Sequence, residues 1–340
     1  MTSKSSFFKA LNIKTLAFVF LFLIGSVASA SDSKEGEKFN PGSLIIHHVL
    51  DDYTWHFFDG HYGTLYLPVI LYTDNGLKVF SSSRFFDEHY NSVSYDGFKL
   101  EHGHIIALDG GHPLDFSITK NVASLFLSAF LLLSIFITIA NRYKKNPNKA
   151  PRGIQSFFEP IIIFIRDEIA LPNIGEKSYR RFLPFLLTIF FFIWFNNLLG
   201  LIPGGANLTG NIAVTLVLAV IVLLVTLFST KKYYWKHIFA TPGVPLPVMI
   251  ILIPIELVGI LTKPFSLMMR LFANITAGHI VILSLFSLIF IFESFAIAGV
   301  SVAFAIFMNF LELFVALLQA YVFTLLSAMY FGAAVEEAHH

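Results

Sequence analysis

The sequence contains no cysteine, and this absence excludes several kinds of chemistry at once. Without thiols the chain cannot form a disulfide, a thiolate metal site or a cysteine nucleophile. It also lacks a G-x-x-x-x-G-K-[ST] stretch, the loop that cradles phosphates in P-loop nucleotide-hydrolysing proteins. We therefore do not expect this chain alone to hydrolyse ATP, and we predict no bound cofactor.

Charged residues are also scarce. They make up 13% of the 340 residues, whereas soluble domains carry about 25%. Hydrophobic residues make up 56%, and the mean hydropathy is +0.71. This composition predicts an integral membrane protein that lies in a lipid bilayer. The net charge of +1 gives no indication of a nucleic-acid partner, and we predict none.

Residues 1–30 have the pattern of a secretory signal peptide. Three lysines precede the apolar run LAFVFLFLIG, and Ala28 and Ala30 occupy the small positions of an A-x-A-like cleavage site. The alternative is an uncleaved signal anchor, but the apolar run is short for a complete membrane span. The pattern favours cleavage, which places the mature N-terminus outside the cytoplasmic membrane.

Residues 31–116 differ from the rest of the chain because they are polar and acidic. They contain thirteen Asp or Glu against five Lys or Arg, and eight of the twelve histidines. The stretch LYLPVILYTDNGLKVFSSS predicts two strands joined by a turn at Asn75 and Gly76. The histidines have no recurring ligand spacing, so we predict no metal site. We expect a small β-rich domain on the external side of the membrane.

Three uncharged apolar runs are each long enough to cross a bilayer core of about 30 Å. They cover residues 122–140, 182–203 and 212–228. The loops NRYKKNPNKAPR and STKKYYWKH are basic and contain no acid, so the positive-inside rule places both in the cytoplasm. Residues 154–172 are apolar but carry four charged side chains, which favours an interfacial helix.

Two C-terminal apolar segments are too long for single upright spans. Residues 248–292 would form a helix of about 67 Å, twice the thickness of the bilayer core. Such a helix must tilt, bend or break, and Pro254, Pro264 and Gly278 are the candidate points. Residues 295–331 are likewise too long, and the chain then ends in GAAVEEAHH, which we place in the cytoplasm.

These patterns together predict an all-α polytopic membrane protein with about five transmembrane helices. Two of these are the long, tilted C-terminal helices, and an interfacial helix and a small β-rich external N-terminal domain accompany them. The predicted divisions are a signal peptide (1–30), a periplasmic acidic domain (31–116) and a transmembrane domain (117–340).

The few ionisable side chains in the apolar half have helical spacing. Glu256, Lys263 and Arg270 are seven residues apart, so they share one stripe of a helix. Asn274 lies one turn beyond Arg270 on nearly the same face. His279 lies about 180° around the same helix from Arg270 and therefore points to different neighbours.

Arg270 lies within a bilayer-spanning segment, where a charge costs roughly 2.5–3.5 kcal/mol. Glu256 is fourteen residues away, about 21 Å along a straight helix, so no acid on the same helix can reach it. Arg270 therefore needs a carboxylate from another helix or another chain. Arginine cannot give up its proton, which suits a permanent charge that attracts a mobile proton without taking it. In the alternative, Arg270 pairs with Glu256 and Lys263 snorkels to an interface.

The last apolar segment carries a second polar face. Glu312 and Gln319 are seven residues apart and share this face, and Asn309 lies three residues before Glu312. Histidine titrates near neutrality, and burial brings a carboxylic acid toward the same range. His279 and Glu312 therefore suit proton transfer. A purely structural hydrogen bond between them is the alternative.

At these residues the sequence strongly resembles subunit a of the F-type ATP synthase. The resemblance is carried by KPFSLMMRLFANITAGHIVIL, with its R-L-F-x-N-x-x-A-G core, by ELFVALLQAYVFTLLSAMY and by FNNLLGLIP, and it covers roughly residues 118–335. It implies a non-catalytic, proton-translocating subunit of the bacterial inner membrane. The implied partners are a ring of carboxylate-bearing c subunits, the b stalk and, indirectly, the catalytic head.

The resemblance also implies residue roles. Arg270 would be the stator arginine that faces the ring, between two offset half-channels. The external half-channel would run through His279 and Glu312, whose residue types are exchanged in other members and which would act as a pair. Asn274 and Gln319 match polar positions near the arginine. The secondary candidates for the proton path are Glu256, Lys263 and Asn309.

Two other classes of protein fit parts of the pattern. A secondary transporter would bind an anionic substrate at Arg270 between broken helices, but no internal repeat relates the two halves of the chain. A structural membrane anchor would use its polar side chains only to bond helices together. Co-purification with a small, carboxylate-bearing helical-hairpin subunit separates the motor interpretation from both. Protons are the default transported ion, with Na⁺ as the alternative.

Overall fold

The structure is a computed structural model that describes most of the chain. The described residues are 42, 50–56, 63–74, 76–87, 92–101, 103–111, 113–145, 150–202, 204–239, 245–292 and 294–336. The predicted signal peptide lies outside them. The chain divides into two compact units, of which the first contains Asp52–Lys120 and the second contains Asn121–Ile202 and Ala206–His340.

The first unit is built from short antiparallel strands. The strands are β1 (Thr54–His56), β2 (Thr64–Tyr66), β3 (Pro68–Thr73), β4 (Gly76–Ser81), β5 (Phe98–Glu101), β6 (His104–Ala107) and β7 (Leu114–Asp115). β1 pairs with β2, β5 pairs with β6, and β3 lies between β4 and β7. The predicted hairpin is confirmed, because β3 and β4 pair from Pro68 opposite Ser81 to Thr73 opposite Gly76. Gly76 has φ +104°, a conformation that favours glycine.

Alternation along β3 gives the first unit its core. Val69 and Leu71 point inward and are fully buried. They pack with Phe85 and Phe98, and this cluster is small, as expected for strands of two to six residues. The chain therefore carries a small β-containing N-terminal region.

The second unit is helical. The helices in the described part of the chain are α1 (Lys120–Lys145), α2 (Ile154–Phe164), α3 (Leu171–Ile174), α4 (Tyr179–Gly200), α5 (Ile212–Ser229), α6 (Lys232–Phe239), α7 (Leu246–Phe292) and α8 (Phe295–Val335). A π-turn (Ile165–Ala170) joins α2 to α3, and a 3₁₀ turn (Leu208–Gly210) precedes α5. Of the described helices, α1, α4, α5, α7 and α8 are long and apolar enough to cross a membrane. The expected mostly helical membrane fold is therefore confirmed at this level.

The core of the second unit forms where aromatic residues of α4 meet small residues of α8. Phe182 stacks on Phe331 with ring centroids 4.9 Å apart. Ala316 and Ala320 are buried on α8, and their small side chains allow the two helices to approach closely. The buried hydroxyl of Ser327 donates to the Phe323 carbonyl of its own helix, so it does not need a partner across the interface.

α7 is a single helix of 47 residues, about 70 Å long. Of the three predicted outcomes for this segment, a break does not occur, because the helix continues through Pro254, Pro264 and Gly278. Each proline removes only one backbone hydrogen bond, and the remaining groups stay bonded within the helix because lipid offers them no other partner. Gly278 has a different role, described below.

Candidate functional site

Two side-chain contacts show that α7 and α8 lie side by side and run antiparallel. His279 contacts Glu312, and Lys263 Nζ lies 5.9 Å from the centre of the Tyr330 ring. Lys263 lies sixteen residues before His279 on α7, whereas Tyr330 lies eighteen residues after Glu312 on α8. Arg270 lies nine residues before His279, so the same register places it level with Tyr321 and Val322 of α8.

His279 and Glu312 form a buried hydrogen-bonded pair. His279 Nδ1 lies 2.5 Å from Glu312 Oε1, and the side chain of Glu312 is only 4% exposed. The other ring nitrogen, Nε2, lies 3.1 Å from the Gly200 carbonyl oxygen at the end of α4. The pair therefore joins three of the long helices at one point.

Hydrogen-bond chemistry fixes the number of protons that the pair holds. A carbonyl oxygen only accepts, so His279 Nε2 must carry a proton and donate it to Gly200. One further proton then lies between Nδ1 and Glu312 Oε1, and it can sit on either atom without changing the net charge of zero. Glu312 Oε2 is buried and has no hydrogen-bond partner among the described residues, so it is a second acceptor. A further hydrogen-bond donor can therefore be accepted at Oε2.

Glycine at position 278 makes room for this pair. A Cβ atom at position 278 would lie 3.0 Å from Glu312 Oε1 and 3.1 Å from its Cδ. These distances are shorter than ordinary van der Waals contact, so a larger residue would displace the carboxyl group. α7 does not break at Gly278, and the missing side chain at this position lets Glu312 approach α7.

A buried amide network holds the end of α4 against α8. Asn197 Nδ2 donates to the Ala316 carbonyl at 3.0 Å, and Thr209 Oγ1 donates to Asn197 Oδ1 at 2.6 Å. Asn197 lies one turn before Gly200, so the network positions the carbonyl that accepts from His279. Sequence reasoning missed Asn197, Thr209 and Gly200 as site residues. Asn197 and Gly200 lie in FNNLLGLIP, which was noted only for its resemblance.

Arg270 lies on the exposed side of α7. The buried side of the helix at this level is formed by Leu267, Leu271 and Ile275, each at most 3% exposed. Within the described ranges Arg270 makes no hydrogen bond or ion pair, so the alternative of a pair with Glu256 finds no support in the described structure. The structure separates Arg270 from the His279–Glu312 pair by nine residues along α7, about 14 Å.

The other polar candidates on α8 lie on either side of Glu312. Gln319 is 5% exposed and buried, close to the level of Arg270 given by the register. Asn309 Nδ2 donates to the Ala305 carbonyl of its own helix at 3.0 Å, so it is already satisfied. The structure therefore places Gln319 at nearly the same height along the helix pair as Arg270. Asn309 is bonded only to its own helix.

The remaining candidates lie on α7. Asn274 and Lys263 are exposed, and Glu256 is half-buried. Burial raises the pKa of the Tyr234 phenol on α6, and the nearby Glu256 carboxylate raises it further. Among the described residues, no group of three or more His, Asp or Glu is arranged to hold a metal ion.

Comparison with known proteins agrees with this architecture. Residues 122–332 match the family described as ATP synthase A chain, and residues 44–124 match a domain of unknown function. The chain is 43% identical over 314 residues to ATP synthase subunit a 2 of Chlorobaculum tepidum, covering 90% of this chain and 76% of that protein. It is 47% identical over 254 residues to ATP synthase subunit a of Chloroherpeton thalassium, covering 74% and 75%. The predicted resemblance is confirmed, and the chain belongs to the ATP synthase subunit a family.

Proposed function

We propose that this chain is the stationary, proton-translocating subunit in the membrane sector of an F-type ATP synthase. It would provide two half-channels and a fixed arginine, and so couple proton flow to rotation of a ring of c subunits. Family membership supports the role in ATP synthase, and the five apolar helices support a multi-pass membrane protein. The observation that supports the mechanism is an exposed Arg270 on the same helix as the buried, hydrogen-bonded pair His279 and Glu312, about 14 Å away along α7.

Arg270 is suited to face a carboxylate of another chain. Its guanidinium is exposed on α7 and unpaired among the described residues, and it cannot lose its charge inside a membrane. A charge at this depth is costly unless a partner compensates it. A ring carboxylate that stops opposite Arg270 would supply this partner. The guanidinium in turn favours the ionised form of that carboxylate, so the ring releases its proton there.

The His279–Glu312 pair is suited to deliver protons along the external half-channel. A proton that reaches Glu312 Oε2 converts the neutral pair into one of charge +1, which then passes a proton onward. The Nε2 proton stays with the Gly200 carbonyl, so the imidazole keeps its orientation while the Nδ1–Oε1 proton moves. Gln319 and Asn274 would extend the polar path toward the arginine, and Glu256, Lys263 and Asn309 would be secondary members.

The proposed cycle follows from charge balance. A ring carboxylate gives its proton to one half-channel while it is near Arg270. It must be neutralised by the other half-channel before it rotates into lipid, because an ionised carboxylate is costly there. Arg270 also blocks a direct proton path between the half-channels. Proton flow is therefore possible only when the ring turns.

The proposed orientation places both basic loops and the C-terminus in the cytoplasm of a bacterial cell, with the mature N-terminus periplasmic after removal of residues 1–30. Residues 31–116 would form the periplasmic domain and residues 117–340 the transmembrane ion-channel domain. The segment 154–172 would be interfacial, and α7 and α8 would lie tilted along the ring. The b stalk would hold the subunit, and the catalytic head would contact it only indirectly. This chain itself would be non-catalytic.

Cysteine cross-linking tests whether the arginine face of α7 meets the ring. Asn274 is exposed about 40° around the helix from Arg270, whereas Phe265 is 60% exposed but about 140° away. Because the chain has no native cysteine, Asn274→Cys and Phe265→Cys each introduce a single thiol. With a cysteine one turn from the ring carboxylate, we expect an oxidative cross-link from position 274 and little from 265. Stronger cross-linking at 265 would mean that another face of α7 meets the ring.

Two glycines of α7 provide a matched test of the pair. Gly278→Ala places a Cβ 3.0 Å from Glu312 Oε1, whereas a Cβ at Gly259 meets nothing within 4 Å. A displacement of about 1 Å costs a reacting pair up to about 100-fold, so a shift of a few tenths should lower ATP-driven proton pumping about 2- to 10-fold in Gly278→Ala. Gly259→Ala should pump like the wild type. Equal pumping by both variants would argue against a role for the pair in transport.

A further inference from the structure

The three-stranded sheet of the first unit has a second apolar face, opposite the one that forms its core. Directly opposed residues of antiparallel strands point to the same side. Tyr72 of β3 pairs with Leu77 on one side and Leu114 on the other, and Ile70 pairs with Val79. We call this surface the outer face. Its six large apolar side chains are Ile70 and Tyr72 of β3, Leu77 and Val79 of β4, and Leu114 and Phe116 at β7.

The outer face is exposed although it is apolar. Five of its side chains are between 55% and 64% exposed, and Ile70, at the centre, is partly buried. The solvated face of an antiparallel sheet normally carries polar residues. The charged residue of β4, Lys78, points away from the outer face and pairs with Asp96 at 2.8 Å. Apolar patches of this kind mark contact surfaces in proteins.

The outer face is also tied to the start of the first membrane-spanning helix. Phe116 N donates to the Ile70 carbonyl, Ile118 N to the Pro68 carbonyl, and Lys120 N to the Asp52 carbonyl, at 2.8–3.1 Å. The segment 116–120 is therefore held by backbone hydrogen bonds to β3 and to Asp52, just before β1. Because four residues span at most about 14 Å, Phe116 lies within that distance of Lys120, where α1 begins.

The length of α1 fits a helix that spans a complete bilayer. Its 26 residues extend about 39 Å, close to the 40–45 Å of a bilayer that includes both interfacial layers. A helix of this length that crosses a bilayer has its two ends at the two interfaces. Phe116, at the edge of the outer face, lies within about 14 Å of the residue at which this helix begins.

We propose that the outer face of this unit is seated in the interfacial layer of the lipid bilayer. The face has the features of an interfacial surface: aliphatic and aromatic side chains, no charge, and Tyr72 with a polar tip that suits the headgroup level. Its continuity with α1, a membrane-spanning helix, selects lipid as the occupant over a second protein. The proposal concerns the N-terminal unit and does not depend on proton transport by the helices.

Spin-label accessibility tests this proposal on the full-length chain. Leu77→Cys and Val79→Cys each carry the only thiol of the chain and represent the two rows of the outer face. Ser94→Cys is an exposed control outside this face. Each variant is labelled with a nitroxide and reconstituted in phosphatidylcholine–phosphatidylglycerol vesicles. Collision rates with O₂, which concentrates in lipid, and with a water-soluble nickel chelate are then compared.

We expect O₂ collisions to dominate at positions 77 and 79 and nickel collisions to dominate at position 94. Two labelled positions keep the test valid if one variant does not fold. Dominant nickel collisions at 77 and 79 would overturn the proposal, because the face would then lie in water. Few collisions with either reagent would also overturn it, because the face would then be covered by protein.

Discussion

Replacing Arg270 with alanine is expected to abolish ATP-driven acidification of inverted membrane vesicles. A guanidinium beside a ring carboxylate favours its ionised form about 10- to 1,000-fold, so proton release from the ring would slow by a similar factor. Protons could also pass between the half-channels without turning the ring. Both effects act on coupling and not on folding, because Arg270 is exposed and makes no hydrogen bond or ion pair among the described residues.

The measurement compares wild type, Arg270→Ala and Arg270→Lys, with and without added Na⁺. The amount of catalytic head retained on washed membranes reports assembly and should be equal in all three. Lysine keeps a positive charge but can release its proton, so we expect Arg270→Lys to fail as well. Wild-type pumping that is independent of Na⁺ identifies the proton as the transported ion. Normal pumping by an assembled Arg270→Ala complex would show that the arginine only helps helices to pack and is not required for transport.

Exchanging the pair, with His279→Glu and Glu312→His together, is expected to retain more transport than either single change. His279→Glu alone leaves two carboxyl groups to share the site, and Glu312→His alone leaves two imidazoles. Either change alters the number of protons that the neutral site holds. The double change restores one imidazole and one carboxyl group. Recovery should be incomplete, because the donor to the Gly200 carbonyl is lost, at a cost of about 1–3 kcal/mol.

Proton pumping and ATP synthesis are measured for both single variants, the double variant and Glu312→Gln. Glutamine keeps the shape of glutamate and one carbonyl oxygen that can accept from His279 Nδ1–H, but it does not titrate, so this variant should assemble and lose most transport. A structural hydrogen bond alone would leave Glu312→Gln largely active. A double variant no better than the worse single variant would show that the two residues do not act as a pair.

Much of the helical architecture could be predicted because its signals are local. Long uncharged runs and basic loops fix where spans lie, and α4 and α5 begin and end within three residues of the predicted segments. The continuity of α7 could not be predicted with the same certainty. A proline in an apolar run is compatible with a break, a bend or a continuous helix, and only packing and the lack of water decide between them.

The side chains of the candidate site could be predicted from the sequence, whereas the backbone carbonyl that His279 contacts could not. Helical spacing placed His279 away from Arg270, and the resemblance paired it with Glu312 across helices. The Gly200 carbonyl carries no sequence signal, because every residue has the same backbone acceptor. The contact of Gly278 with Glu312 could not be predicted, because a glycine in a helix can mark either a flexible point or a close approach. Only the distance to Glu312 distinguishes these meanings.

The uneven support of α8 has a mechanical consequence. Eleven of its thirteen buried residues lie at or beyond Glu312, whereas large side chains such as Phe304 and Phe310 in the earlier part are exposed. The helix therefore resembles a cantilever clamped along its C-terminal half. Deflection of a cantilever grows with the cube of its free length. Arg270 lies level with the buried C-terminal half of α8. A sideways force from a turning partner would therefore displace α8 only slightly at this level.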